Sequence, residues 1–518
     1  MRRMMQWLSV VFCVFIVSCN GLQCAPVVTL PQVQLPGAFI PQFVDPLPVL
    51  DVAGGPMKTV ITDANEVEVH AREFLVNVMP SSFVPASSPF YGGTWVWGYT
   101  VGSNPPPSPA GTYIGPVFIT QRGLPTQVRF VNDLGFATTT NVAFWANATD
   151  QTIHWADPLG GQANACAHGI VAGQAPTGTC AAHYAGSIPM VPHLHGGEVP
   201  PVVDGGPDAW FTSDGTIHGN AYYTRPNVAA NGNVSVYRYP NGQQAAMLWF
   251  HEHTLGVTRL NVYVGLAGGY ILTDPGTPLP AGLHPAGLQQ GAGGAVEYLT
   301  PLVIQDRMFD TNGQLFFPNQ GINPEHPYWI PEFVGDTIVV NGKVWPFMAV
   351  QEKRYRFLIV NGSNARTYEL FFPAGPTIWQ IGTDGGYLDA PVSFDPSLGQ
   401  KLLLMPGERA DIIVNFAGFG NRTLVLNNTG ATPYPGGDLP APQTLGQIIQ
   451  FRVAAGNVTD ASFDPATGAA LRPPMIRLVD PAAGTLASGV TAAKTRQLTL
   501  NEIAQDSPST VNGINYPG

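Results

Sequence analysis

The sequence predicts an all-β protein of tandem Greek-key sandwich or barrel domains, and three observations carry that expectation. Charged residues make up only 11% of the chain, while glycine and proline number 59 and 50. That composition suits short strands joined by tight turns better than helices or disorder. Short apolar runs recur between Gly, Pro, Asn and Asp, as strands of a sandwich require. The length, 518 residues, allows roughly two to four domains with sizeable cores.

In the first part, strands are expected at Glu66–Val78, Thr94–Tyr99, Tyr113–Thr120 and Thr126–Leu134, the last alternating Val128 and Phe130 with polar neighbours. Residues 136–188 are rich in Gly, Ala and Thr and read as a long excursion, either functional or inserted. His154, His168 and His183 lie in it without ligand spacing and read as ordinary loop histidines. The strongest signal is the stretch Met247–Leu272. Leu248, Trp249 and Phe250 fit a buried strand, and His251 and His253 follow two apart. On a strand both imidazoles then face one side while Glu252 faces the other, which suits a supporting role for the carboxylate better than ligation. A second pair of the same spacing, His193 and His195, flanks Leu194. Four imidazoles suit copper, zinc, iron or nickel. Glu198 follows His195 too closely for a cupin, the nearest rival fold with an H-x-H strand.

Residues 276–296 read as a Pro/Gly-rich linker. Strands resume at Tyr298–Gln305, Thr337–Phe347, Arg354–Val360, Ile378–Gly382, Leu402–Met405, Asp411–Phe416, Thr423–Leu426 and Gln447–Val453. This part holds no cysteine and one histidine, His326, so it reads as a spacer without metal ligands. Residues 456–494 are linker-like, and Arg496–Leu500 starts another strand. The closing V-N-G-I-N-Y-P repeats the V-N-G-K-V-W-P of Val340–Pro346, so residues 495–518 are expected to be a further domain, begun and cut off.

Arg2 and Arg3 precede an apolar run from Trp7 to Val17, the shape of a signal peptide over residues 1–25. Ile16-Val17-Ser18-Cys19 would also pass as a bacterial lipobox, with a lipid anchor at Cys19. A secreted protein is expected, with a bacterial lipoprotein or periplasmic protein as the alternative. No later segment is long and apolar enough for a transmembrane helix. The net charge of −11, without a Lys/Arg cluster, argues against nucleic acid as a partner. Cys166 and Cys180 are the cysteines left beyond the signal region. They are either free thiols or, as export favours, a bridge worth roughly 3 kcal/mol. Sequons at Asn147, Asn233, Asn421, Asn427 and Asn457 suit a secreted glycoprotein.

The residues around the histidines carry a family likeness. H-L-H-G-G at His193–Gly197, followed by Asp204-Gly205, and the run W-F-H-E-H-T-L-G-V-T-R-L-N-V-Y at Trp249–Tyr263 resemble the first two copper-binding segments of the multicopper oxidases. The spore-coat laccase and bilirubin oxidase branch is the most similar. Phe43–Pro48 resembles that branch's opening segment, and Tyr355–Leu370, with its N-G-S-N-A-R turn, resembles its second domain; the sequon at Asn361 there reads as structural. The resemblance implies cupredoxin-like domains over residues 40–275 and 297–455. It puts His193 where a type 2 copper ligand sits, and His195, His251 and His253 where type 3 ligands sit. Asp204 falls on an acidic residue that steers protons near the trinuclear copper site. The implied reaction is one-electron oxidation of phenols, tetrapyrroles or metal ions, with dioxygen reduced to water. The family's remaining ligands come from a His-Pro-x-His-x-His segment and a His-Cys-His segment. No Cys follows Cys180 and no His follows His326. The expectation is therefore an incomplete, inactive chain lacking type 1 copper. The competing class is a non-enzymatic secreted copper-binding cupredoxin protein.

Overall fold

Alternation of apolar and polar side chains builds two sheets in the first part of the chain, and it decides which face carries the histidines. The computed structural model describes residues 32–498, apart from 63–64, 152, 154, 160–183, 284–298, 319–320, 322–327, 329, 331, 457, 474, 476 and 481, together with 509–511 and 514–516. The first part is framed by Thr59–Ile61 (β1), Glu66–Val76 (β2), Thr94–Val101 (β3), Val117–Gln121 (β4), Thr126–Asn132 (β5), Pro192–His195 (β6), Val234–Tyr239 (β7), Ala246–Glu252 (β8) and Ala267–Thr273 (β9). One sheet runs β7-β5-β2-β3 and the other β1-β4-β9-β8-β6. β2 lies parallel to β5 and β4 parallel to β9, as crossover connections between two packed sheets produce. Tyr99 and Phe130 of the first sheet meet Phe250 of the second at ring-centroid distances of 5.1 and 6.1 Å, and Phe118 packs beside Phe250 at 5.6 Å. Phe250 thus faces the sandwich core. Its neighbours Trp249 and His251 face outward.

The second part uses Leu299–Arg307 (β10), Thr337–Val340 (β11), Lys343–Val344 (β12), Phe347–Gln351 (β13), Arg354–Asn361 (β14), Tyr368–Phe371 (β15), Ile378–Thr383 (β16), Gly386–Phe394 (β17), Leu402–Leu404 (β18), Arg409–Asn415 (β19), Thr423–Asn428 (β20) and Gln447–Ala454 (β21). Its sheets run β12-β11-β10-β14-β19-β16-β17 and β13-β21-β20-β15-β18. Phe357 of the larger sheet packs on Phe451 of the smaller at 5.5 Å, and Phe416 packs on Phe451 at 5.1 Å. The whole is an all-β, multi-domain, cupredoxin-like fold.

Three features depart from the sequence expectation. The single strand expected at Thr337–Phe347 is a hairpin. Asn341 and Gly342 take φ of 51° and 81°, the left-handed pair that a two-residue turn needs, so Val340 pairs with Lys343. The sequence repeat forms the same element: Ser509–Val511 (β22) pairs with Ile514–Tyr516 (β23), Val511 opposite Ile514. A helix the sequence does not signal, Thr258–Val264 (α1), follows the histidine strand and ends where Gly265 turns at φ 136°. It is only two turns long and β-branched in part, which hides its period. Strand β17 was not anticipated because it lies at a sheet edge, half-exposed, and carries Pro391.

The described ends of the Gly/Ala/Thr-rich excursion are packed rather than loose. Trp145 and Trp155 are both buried against Tyr184, with centroids 5.9 and 4.9 Å apart, and Asn132 Nδ2 donates to the carbonyls of Ile188 and Phe211. Cys166, Cys180, His154, His168, His183, His326, Asn457 and residues 1–31 lie outside the described residues. Among the described residues no helix is long and apolar enough to cross a membrane.

The segment leading into the first sandwich is tied to the second, and a buried ion pair braces the second from within. The segment Phe43–Pro48 lies along β13, with Leu47 N–H donating to Phe347 O at 2.7 Å and Phe347 N–H to Asp45 O at 2.9 Å. The N-G-S-N-A-R turn is pinned by a buried ion pair, Arg366 Nε to Asp306 Oδ2 at 2.9 Å, with side chains 3% and 0% exposed. Asn361 is fully buried, its Nδ2 donating to the carbonyls of Arg366 and Leu404, so its sequon is structural. Removing one partner of a buried pair strands the other charge, at a cost of about 3–5 kcal/mol. Arg366→Leu should therefore lower unfolding stability by that amount in urea titration, whereas an unchanged midpoint would remove the pair from the account.

Candidate metal centre

The site begins with strand register. β6 and β8 run antiparallel with His193 opposite His251, Leu194 opposite Phe250 and His195 opposite Trp249. His253 continues just past β8, its N–H donating to Val191 O at 2.9 Å. Because faces alternate and directly opposed residues share a face, His193, His195, His251 and His253 all project from one side of the sheet. The His193 ring centroid lies 5.8 Å from that of His195, 5.4 Å from His251 and 4.8 Å from His253. Ligand nitrogens of His193, His195 and His251 all fall within 4.8 Å of one another.

The rings are oriented by their other nitrogens, as metal-binding imidazoles usually are. His251 Nδ1 lies 2.7 Å from Glu252 O, and His193 Nδ1 lies 2.6 Å from Asp204 O, which leaves Nε2 of each as the nitrogen not taken up by a backbone carbonyl. His195 turns the other way, its Nδ1 3.1 Å from His251 Nε2. His253 Nδ1 is buried without a hydrogen-bond partner among the described residues. Burial holds the His195 pKa down at about 4, helped by Arg409 and the neighbouring histidines. Burial likewise lowers His251 and His253, with the neighbouring imidazoles adding to it. Neutral imidazoles are the form that binds metal.

Asp204 sits behind His193 rather than among the ligand nitrogens. Its carbonyl accepts from the ring, and its half-exposed carboxylate lies 3.6 Å from Nδ1. Glu252 points into the sandwich, as alternation predicts, and is fully buried. Burial pushes its pKa up to about 7. Its Oε1 accepts from Val191 N–H at 3.1 Å, from Thr254 N–H at 2.8 Å and from the Thr254 hydroxyl. The carboxylate thereby ties the segment before β6 to the segment after β8.

Sequence reasoning missed three contributors. Trp249 lies beside His195 and His251, with centroids 5.3 and 4.4 Å away, and its position two before His251 could have placed it on the histidine face. Gly407 and Arg409 come from the second sandwich, and no local pattern signals them. A cavity of about 420 Å³ opens from His195, Trp249 and His251 and is walled opposite by Phe333, Ser363 and Gly407.

The donor set can be tested against copper on these observations. Three clustered imidazole nitrogens, a fourth imidazole beside them with an unpartnered nitrogen, and an aromatic flank fit a nitrogen-rich copper site. No family model matches the chain. A laccase of Bacillus stratosphericus is 41% identical over 51% of this chain and 48% of its own length. A laccase of Haloferax volcanii is 31% identical over 84% of this chain and 63% of its own. The crystal structure of the McoA multicopper oxidase of Aquifex aeolicus superposes with a TM-score of 0.51, at 22% identity, over 85% of this chain and 71% of that one. The chain is similar in sequence to multicopper oxidases, the Bacillus laccases among them. It spans about half the length of the Bacillus laccases it matches.

Glu252 offers a direct test of how the two histidine strands are held. Glu252→Ala leaves two buried N–H groups without acceptors, at about 1–3 kcal/mol each, while Glu252→Gln keeps an acceptor. Thermal unfolding should place the alanine variant well below the glutamine variant, and equal losses would contradict the bridging role.

Proposed function

We propose that this chain supplies the first half of a multicopper oxidase active centre of the laccase or bilirubin-oxidase type. The reaction is one-electron oxidation of phenolic, tetrapyrrole or metal-ion substrates, coupled to reduction of dioxygen to water. The observation that carries the reading is the register of β6 on β8, which sets four imidazoles on one face. His193 would hold type 2 copper, and His195, His251 and His253 the type 3 pair. Copper, when bound, supplies the redox capacity that dioxygen reduction needs. The protein's part is to orient the rings through the Asp204 and Glu252 carbonyls and to exclude water with Trp249. Asp204, half-exposed behind His193, would pass protons between solvent and the site.

A second reading is a secreted copper-binding cupredoxin protein without oxidase activity, and it differs from the first in whether a thiolate-bound type 1 copper centre serves the histidine cluster. On either reading we propose export, with a signal segment at residues 1–25, a possible lipid anchor at Cys19 if the protein is bacterial, and a Cys166–Cys180 bridge.

Three measurements test these proposals. Copper titration of the purified chain should show binding that is lost when His193, His195, His251 and His253 are all changed to alanine, and equal binding by the two proteins would remove these residues as the site. The copper-loaded 518-residue chain should lack the blue-copper absorption band and consume no more oxygen with phenols than free copper does. Turnover in an oxygen electrode would overturn that expectation. Non-reducing peptide mapping should recover Cys166 and Cys180 linked, and two free thiols would count against the bridge.

A further inference from the structure

The second sandwich carries no ligand histidine among its described residues, yet one of its turns sits directly on the site. Gly407, at φ 84°, lies between β18 and β19 beside the His195 ring. A Cβ added there would stand 2.8 Å from His195 Cε1 and 3.2 Å from Nε2, closer than carbon atoms pack. Trp249 lies against the same ring, inclined at 33° with centroids 5.3 Å apart. The ring beside these two neighbours turns Nδ1 toward His251 Nε2 at 3.1 Å.

The turn itself is fixed from several sides. Gly407 N–H donates to Asn361 O at 2.8 Å, and Asn361 N–H donates to Glu408 O at 3.0 Å. Arg409, with its side chain 3% exposed, donates from Nη1 to Gly407 O at 3.0 Å and from Nε to Met247 O at 3.1 Å, on the histidine strand β8. Asp384 balances its charge at 3.2 Å. Gly196, the residue after His195, lies against the same guanidinium, where a Cβ would stand 2.1 Å from Nη2. The guanidinium therefore locks together the turn beside His195, the strand that carries His251 and the backbone that follows His195.

Resting on the copper reading of the histidine cluster, we propose that Gly407, held by Arg409, is a positioning residue that fixes the His195 ring with Nδ1 toward the metal. On this proposal the second sandwich helps set the metal affinity of the first. The missing side chain is the device: the peptide backbone comes as close to the imidazole as a glycine allows.

The test compares Gly407→Ala with Gly418→Ala, a control that carries the same left-handed backbone strain, at φ 82°, but has open space around its Cβ. Gly407→Ala should weaken copper binding about tenfold to a hundredfold, the range seen when groups that orient metal ligands are lost. Gly418→Ala should leave binding unchanged. In a His195→Ala background, Gly407→Ala should have no further effect on affinity. In the metal-free protein labelled with ¹⁵N-imidazole histidine, the His195 ring resonances should move in Gly407→Ala and stay in Gly418→Ala. An equal loss of affinity in the presence and absence of His195, or unmoved His195 resonances, would overturn the proposal. If wild-type copper binding does not depend on the histidines, the copper reading fails, while the metal-free resonances still decide whether Gly407 sets the ring.

Discussion

The antiparallel pairing of Pro192–His195 with Ala246–Glu252 is the constraint on which the site depends. Side chains alternate along a strand, so a slip of one residue would send every histidine to the other face. The register puts His193 opposite His251 and, by the same alternation, Phe250 among the aromatic rings of the core. Burial of Leu248 and Phe250 on the inner face therefore specifies the position of the imidazoles on the outer one. Glu252 reinforces this register from the inside, accepting from Val191 before one strand and Thr254 after the other.

The pairing also explains why His195 and His251 are held neutral. His251 is almost completely buried, and His195 shares its surroundings with the Arg409 guanidinium and two other imidazoles. Adding a proton to either ring means placing a charge in a poorly hydrated site next to like charges. A metal ion is a better-matched occupant, since several neutral nitrogens can share its charge. The cavity between the sandwiches gives small molecules a route to the same rings, and its far wall belongs to the second sandwich. That sandwich is more than a spacer: Gly407 and Arg409 reach the His195 segment directly.

Much of this was legible in the sequence. The two H-x-H pairs are period-two patterns, and the inward course of Glu252 followed from the same alternation that gathered the histidines. The all-β class followed from short apolar runs in a Gly- and Pro-rich chain. The V-N-G repeat suggests a further domain, and what the structure describes there is a hairpin of the same register as the first copy. What stayed hidden was non-local or too short to show a period. Helix Thr258–Val264 is only two turns long, and edge strand Gly386–Phe394 is half-exposed and contains a proline. Gly407 and Arg409 lie far along the chain from His195, and their roles arise only when the second sandwich docks against the first. Trp249 was read as core because it is apolar, although its position two before His251 puts it on the histidine face.

The central claim is that the four imidazoles of the paired strands hold copper. X-ray absorption at the copper edge of the loaded protein tests it most directly. The account predicts nitrogen neighbours at about 2.0 Å, by analogy with other imidazole–metal bonds, together with the outer-shell scattering of imidazole rings and no sulfur. A first shell of oxygen without imidazole scattering, or one containing sulfur, would contradict it.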